Sequence, residues 1–374
     1  MKKKKLFIYI HQCVLKGGVE KVFFNLLNNL PCDQYDITVL SYIAYLTDDI
    51  CAGLYPQNVK RRWLYYDEFA PRGWKRFCQR VHNFVMPRVY PKLLKLRKFH
   101  TAIAAQEGMY AKFVDENLRA DKKLLWIHND MAICHWTKSV FGSVEKEREC
   151  YCRFDRVVCV SNAVAESMST VFGKMENLCV CYNPIDTVEI DQKKEKEKIE
   201  RSERTLLLAV GRLAEQKGFD RLLRVCRRLN EKGLEYDLWI LGEGEKRAEL
   251  ECELNKGGLE NVKLLGNKSN PFAYMNAADW LVCSSRHEGF NMVLHEAVWC
   301  GTPIITTDNA GTRELLGDNI YGIVTENNED ALFDAICQAL SDPCLQKKYK
   351  QAVGNRRDFI DLKNRIDGIV EILS

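Results

Sequence analysis

Short apolar runs alternate along the chain with longer amphipathic stretches. In the first half the runs are LFIYI, YDITVLSY, TAIAAQ, KLLWIH, RVVCVS and LCVCYN; in the second they are TLLLAVGR, DLWILGEG, VKLLG, WLVCSS, PIITTD and GIVTE. Runs of this length that are apolar at consecutive positions mark strands buried on both faces. Helical periodicity lies between them: GFDRLLRVCRRLNEKG sets Leu222, Leu223, Val225, Cys226 and Leu229 on one side. Strands alternating with helices imply parallel sheets built of βαβ units, and two such series imply two doubly wound α/β domains. DQKKEKEKIERSER, residues 191–204, is almost wholly charged and reads as a solvated connector. The domain boundary is set just before it, near YNPID at 182–186.

At 374 residues and 46% hydrophobic, the chain is long enough for two cores. A net charge of +4 is too small to point to a nucleic-acid partner. The sixteen cysteines are scattered and many sit inside apolar runs, as expected for reduced, buried thiols in a cytosolic protein rather than a disulfide scaffold. Cys150-x-Cys152 and Cys179-x-Cys181 fit no common zinc spacing. After MKKKK the apolar run is only Leu6 to Ile10, too short for a secretory leader, so it reads as the first strand. No segment approaches eighteen apolar residues.

Candidate chemistry gathers in three stretches. In EGFNMVLHEAVWCG, Asn291 suits an N-cap and Gly301 a helix C-terminus. A helix between them would point the amides of Met292 and Val293 outward, which suits a phosphate. Glu288 would lie in the preceding turn, and Glu296 one turn into the helix could accept hydrogen bonds from hydroxyls. In LLLAVGRLAEQKGFDRLL, Arg212 and Lys217 follow a strand in a loop, where a fork and a point charge can grip a diphosphate. In HQCVLKGGVEKVFFNLL, Gly17 and Gly18 precede a helix beginning near Val19 and let backbone approach an anion. Each stretch taken alone also reads as an ordinary capped helix, surface cations or a plain turn. ILGEGEKRAEL lacks the third glycine of a dinucleotide fingerprint, because that position is Arg247.

In combination and order these stretches resemble the retaining GT-B glycosyltransferases, specifically glycosyltransferase family 4. Glu288 and Glu296 match its E-x7-E signature within SSRHEGFNMVLHEAVWCGTPIITTD. NAADWLVCSS, the G-R-x4-K pattern of VGRLAEQKGFDRLL and the early GGVEKVFFNLL are also similar to that family. The resemblance implies two Rossmann-like domains facing across a cleft: an acceptor-binding domain over 1–183, a nucleotide-sugar-binding domain over 184–355, and a C-terminal helix over 356–374 crossing back to the first. By the same resemblance Glu296 holds ribose hydroxyls and Glu288 lies against the donor sugar. Arg212 and Lys217 neutralise the diphosphate, and Gly17 and Gly18 approach it from the first domain. His128 in WIHND resembles a histidine placed near the transferred sugar, and Glu107 in AAQEGMYAKFV is a candidate on the acceptor side. Asn291 stands where relatives often carry Gly or Pro, and GGVEK lacks a further glycine found in some.

The resemblance implies no cofactor and a nucleotide-diphosphate sugar as donor, UDP- favoured over GDP-. Asp48-Asp49 and Asp67-Glu68 read as surface loops rather than a metal-binding D-x-D pair, so no metal is expected. Transfer with retention would follow a front-face route in which the leaving phosphate takes the acceptor proton.

Residues 71–100, PRGWKRFCQRVHNFVMPRVYPKLLKLRKFH, hold nine Lys or Arg and no acid, with Trp74, Phe77, Phe84, Tyr90 and Phe99 interleaved. Such a mixture suits an anionic membrane surface or, more plainly, a positive rim. Pro87 and Pro91 are expected to break any single long helix here. The leading expectation is a cytoplasmic transferase, peripheral at the inner face of the cell membrane. It would add sugar to a saccharide or lipid-linked acceptor in bacterial surface polysaccharide synthesis. A soluble transferase with a small acceptor and an idle nucleotide-sugar-binding assembly partner are the alternatives.

Overall fold

The computed structural model describes residues 3–12, 17–31, 33–44, 55–56, 58–67 and 73–374. Asp48, Asp49, Glu68, Pro71 and Arg72 lie outside the described residues. The chain divides into two compact units, one of Met1–Pro184 with Lys363–Ser374 and one of Ile185–Leu362.

The first unit holds a seven-stranded sheet of β1 (Lys4–Gln12), β2 (Tyr35–Ala44), β3 (Val59–Tyr66), β4 (Lys98–Ala104), β5 (Arg119–Ile127), β6 (Arg156–Cys159) and β7 (Leu178–Val180), in the order β3-β2-β1-β4-β5-β6-β7. The second holds β8 (Thr205–Val210), β9 (Tyr236–Leu241), β10 (Val262–Gly266), β11 (Trp280–Cys283), β12 (Ile304–Thr307) and β13 (Ile323–Thr325), in the order β10-β9-β8-β11-β12-β13. The pairings are parallel; Leu6 of β1, for example, registers with Ile37 of β2 and Thr101 of β4. Both units are therefore doubly wound, as the alternating pattern implies. Leu6, Phe7 and Ile8 are fully buried, because helices cover both faces of the sheet. The stripe Leu222, Leu223, Val225, Cys226 and Leu229 is buried in the second core with Leu207, Leu238 and Ile240.

In each sheet the strand order reverses beside the first strand of the unit: β1 lies between β2 and β4, and β8 between β9 and β11. Connections leave such a point toward opposite faces and open a crevice at the carboxyl strand ends. The loops after β4, β8 and β11 are thereby gathered within their own units.

Three sequence expectations are corrected. β3, VKRRWLYY, is not among the apolar runs, because it is a cation-bearing edge strand that buries little beyond Leu64. The segment Trp74–Leu94 is one helix with Pro87 and Pro91 inside it. Each proline deletes one hydrogen bond toward residue i−4, but tertiary anchoring holds the turns. Asn83 donates to the Tyr66 carbonyl at 2.9 Å and accepts from the Tyr66 amide at 2.7 Å, while Tyr90 and Leu94 are buried. Finally, the described cysteines are all free thiols, but Cys78, Cys152, Cys252 and Cys344 are exposed. Burial pushes Cys159, Cys226 and Cys300 up to about 12.

From Lys363 onward the helix Leu362–Leu373 belongs to the first unit. Its Arg365 is buried, stacks over Tyr182 at 4.6 Å and donates to the Asn183 carbonyl at 3.4 Å.

Candidate active site

In the second unit, β8 runs into Gly211-Arg212-Leu213 and a short 3-10 turn, Glu215–Lys217. Gly218 then takes φ +64, and a Cβ there would stand 2.2 Å from the Ser284 carbonyl oxygen. Only glycine lets this loop press against the end of β11. The loop after β9 is packed as closely: a Cβ on Gly244 would lie 2.4 Å from the Leu213 carbonyl oxygen. The amide of Leu213 donates to the Glu243 carbonyl at 2.9 Å. The two glycines of LGEGEK thus serve loop packing within this unit.

This packing brings Lys217 to Glu288. The Lys217 ammonium donates to Glu288 Oε1 at 2.7 Å, and the Ser285 hydroxyl donates to the same oxygen at 2.6 Å. The Lys217 side chain is 19% exposed and that of Glu288 8%. Burial by itself lowers the Lys217 pKa, but the Glu288 carboxylate and, less strongly, Cys283 together outweigh it, and the net shift is upward. Lys217 therefore stays protonated throughout the neutral range. The Arg212 side chain is exposed and makes no hydrogen bond or ion pair among the described residues, while its carbonyl accepts from the Ala214 amide at 2.8 Å.

The helix Met292–Cys300 starts after Asn291 and ends at Gly301, as its sequence predicts. Asn291 holds the N-cap position, but its side chain does not cap. Its Nδ2 donates to Cys283 Sγ at 3.1 Å, and its buried Oδ1 has no partner. The amides of Met292 and Val293, in the first turn, have no intrahelical acceptor and form the positive end of the helix. Glu296 is buried one turn further on. A loop cation, a buried ammonium and a helix N-terminus form a positively charged end to this site, with carboxylates able to accept from hydroxyls.

Sequence reasoning missed what holds this loop. Arg221 is buried and donates to the Ser284 and Ser285 carbonyls at 2.8 and 2.7 Å and to Asn327 Oδ1 at 2.8 Å. Arg286 forks onto Asp220 with two contacts of 2.8 Å, which holds the Asp220 carboxyl well below the usual range. Both read in the sequence as ordinary helix or surface charges, because their partners lie more than sixty residues away.

In the first unit, the helix Gly18–Asn29 begins at the glycine pair after β1, with Gly17 as its N-cap. Gly17 is extended, and a Cβ on it would meet Glu20 Oε2 at 2.5 Å, so the first-turn carboxylate lies against the glycines. Glu107 and His128 follow β4 and β5. Glu107 is fully buried and accepts from the His128 amide at 3.1 Å, from Trp136 Nε1 at 3.3 Å and from Asn129 Nδ2. Burial raises its pKa, against the pull of those donors. As placed, Glu107 anchors the 128–136 loop. His128 bonds the Ala105 carbonyl through Nε2 at 3.0 Å, and burial lowers its pKa to about 4. A carbonyl accepts only, so Nε2 carries the proton and Nδ1 of the neutral ring is an acceptor.

A second buried carboxylate, Glu147, was not singled out by sequence. It accepts from Tyr151 Oη at 2.7 Å and from Thr137 Oγ1, and it contacts His135 Nε2 at 2.8 Å. Tyr151 Oη in turn accepts from the Gly108 amide at 3.0 Å, which ties this cluster to the residue after Glu107. Among the described residues no group of three or more His, Cys, Asp or Glu is gathered for a metal ion.

Residues 16–189 match the family described as Glycosyltransferase Family 4, and residues 191–356 match Glycosyl transferases group 1. The chain is 34% identical over 215 residues to the N-acetylgalactosamine-N,N'-diacetylbacillosaminyl-diphospho-undecaprenol 4-alpha-N-acetylgalactosaminyltransferase of Campylobacter jejuni, covering 56% of this chain and 58% of that protein. It is 35% identical over 149 residues to the amylovoran biosynthesis glycosyltransferase AmsD of Erwinia amylovora, covering 39% and 41%. The matched regions thus span about half the length of these relatives. Among solved structures, Anabaena HepE in complex with UDP-glucose superposes with a TM-score of 0.76 at 17% identity, over 98% of this chain and 99% of HepE. TarM superposes with a TM-score of 0.77 at 15% identity, over 100% and 99%. At these identities the likeness is one of fold.

Proposed function

The chain belongs to the GT-B glycosyltransferases of family 4 type, and from that premise we propose that it transfers a sugar from a nucleotide-diphosphate sugar to a saccharide or lipid-linked saccharide acceptor. The observation that carries the reading is the cluster at the β8/β11 reversal, where Lys217, Ser285 and Glu288 are hydrogen bonded to one another, the last two in the loop that leads into Met292–Cys300. The diphosphate is assigned to Arg212, Lys217 and the amides of Met292 and Val293. As the bond from the anomeric carbon to the diphosphate breaks, negative charge grows on the leaving phosphate. Preorganised cations and amides stabilise that charge more than they stabilise the ground state. Glu288 is assigned to the donor sugar and Glu296 to the ribose hydroxyls.

The proposed transfer retains anomeric configuration. The acceptor oxygen forms its bond on the face from which the diphosphate departs, and its proton passes to the leaving phosphate oxygen. We assign the charge neutralisation to side chains and helix amides, without a metal. The first unit is assigned the acceptor. Gly17, Gly18 and the neutral ring of His128 are its candidate site residues, and Glu107 positions the His128 loop. Support for a UDP- rather than a GDP-sugar comes from the UDP and UDP-glucose held by HepE. Support for a lipid-linked acceptor comes from the diphospho-undecaprenol saccharide named for the Campylobacter relative.

A thermal-shift screen against UDP-, GDP- and ADP-sugars tests the donor. At a ligand concentration of 100 Kd a bound donor stabilises the folded state by about 2.7 kcal/mol. A shift with a UDP-sugar is expected, followed by acceptor-dependent release of UDP. No shift with any nucleotide sugar, or UDP release that needs no acceptor, overturns the proposal.

A further inference from the structure

The helix Trp74–Leu94 carries an apolar stripe on its solvent side. Trp74, Phe77, Val81, Phe84, Val85 and Val89 are all exposed, Trp74 by 76% and Phe84 by 63%. At about 100° per residue they fall within an arc of about 140°. Gln79, Tyr90 and Leu94 form the opposite, buried side. Together with Leu93 and Leu96, the stripe accounts for eight of the twelve exposed large apolar side chains among the described residues. The rest of the described surface does not concentrate such groups, so this helix is set apart from ordinary scattered exposure.

The charges complete the pattern. Lys75 and Arg80 fall on the two flanks of the stripe, and Arg88 and Lys92 continue its face toward the helix C-terminus, all four exposed. No acid occurs from residue 73 to 98. The helix is also held rigidly, because Asn83 bonds both backbone groups of Tyr66 and His82 Nε2 lies 3.2 Å from the Trp63 carbonyl oxygen. The apolar stripe is thus an anchored, outward surface on the edge of the first sheet.

We propose that this helix lies in the plane of an anionic lipid surface, with Trp74, Phe77 and Phe84 inserted at headgroup depth and the cations on lipid phosphates. An aromatic and aliphatic face bordered by cations fits that boundary. A second copy of the chain fits poorly, since a two-fold contact would set like charges against each other. The proposal gives the proposed transferase a way to meet a lipid-linked acceptor, and it does not depend on the donor assignment.

Flotation of the full chain with vesicles of phosphatidylglycerol and phosphatidylcholine, against phosphatidylcholine alone, tests it. Wild type is expected to partition at least ten-fold more strongly to the anionic vesicles at 0.1 M salt. A variant with Lys75→Ser, Arg80→Ser, Arg88→Ser and Lys92→Ser should lose ten-fold or more, since each cation near the surface is worth roughly five-fold. At 1 M salt, where the Debye length falls to about 3 Å, a residual wild-type fraction should persist, and Trp74→Ser with Phe77→Ser and Phe84→Ser should abolish it. Far-UV circular dichroism and a melting temperature confirm that each variant is folded. Equal flotation with neutral vesicles, no flotation, or either variant floating like wild type overturns the proposal. So does a wild-type dimer in sedimentation that the apolar variant dissolves, which would assign the stripe to a second copy. If no nucleotide sugar stabilises the wild type, the donor reading falls while flotation still decides the lipid surface.

Discussion

Replacing Lys217 with methionine removes an ammonium while keeping most of the apolar stem. Lys217 contacts Glu288 at 2.7 Å with both side chains largely out of solvent. Removing one partner of a buried pair costs about 3–5 kcal/mol, mostly because the other charge is left without compensation. Ser285 still donates to Glu288 at 2.6 Å, so the lower end, about 3 kcal/mol, is expected for Lys217→Met. Glu288→Gln keeps an acceptor for both donors and should cost less. The double variant no longer strands a charge, so the two losses should fail to add by about 1 kcal/mol or more. Urea unfolding at pH 7 is the assay, following the transition that a UDP-sugar shifts, with m unchanged as the check on two-state behaviour. The pair is fully present at that pH. Lys217 is raised above 10.5 in the fold, so its contribution holds below 10.5 and is lost only as pH rises through the folded value. Turnover of Lys217→Met should fall by about 10²-fold or more if the ammonium also meets diphosphate charge. Additive losses, or a variant within about 0.5 kcal/mol of wild type, would refute the buried-pair argument. Normal turnover in the folded variant would refute the catalytic one.

His128, lowered from 6.5 to about 4 by burial, should destabilise the fold in acid. The unfolded chain takes its proton first, so stability is intact above pH 6.5 and about 3 kcal/mol is lost as pH falls to 4. Glu107, raised by burial, works in the opposite sense, so the test is the difference between wild type and His128→Gln: a flatter acid limb is expected, and parallel curves would contradict it. Gly218→Ala should cost about 2–3 kcal/mol, since it forces a side chain to φ +64 and into the Ser284 carbonyl; calorimetry showing no loss would count against that packing. Glu296→Ala should raise KM for the donor about ten-fold with little change in kcat, as a ribose contact is equal in ground and transition states; a fall in kcat alone would place it elsewhere. Activity should survive EDTA, and full loss restored by Mg²⁺ or Mn²⁺ would show that a cation shares the diphosphate.

Where local pattern decides structure, the chain is legible unaided. The interior strands are apolar on consecutive residues because both their faces are covered, which accounts for LFIYI and TLLLAV being recognised without a partner in view. The start and end of Met292–Cys300 are readable for the same reason, since Asn291 and Gly301 act within a turn of their own position. Glu288 and Glu296, and the pair Arg212 and Lys217, are legible as candidates from spacing and likeness to a family.

Tertiary structure decides the rest, because it depends on partners distant in sequence. β3 is a strand only by its register on β2, since its cations deny it an apolar signature. The helix Trp74–Leu94 survives two prolines because Asn83 is tied to Tyr66 and Tyr90 is buried, and only that anchoring reveals which of its aromatics face outward. Lys217 and Glu288, 71 residues apart, become a buried pair once glycines let the loops after β8 and β11 touch. Glu107 reads in the sequence as a candidate on the acceptor side, and only the fold shows its carboxylate anchoring a loop by collecting donors from Asn129, Trp136 and the backbone of His128. Sequence pattern reports how much of a side chain will meet solvent; which group compensates a buried charge is set by chain crossings that no local spacing encodes.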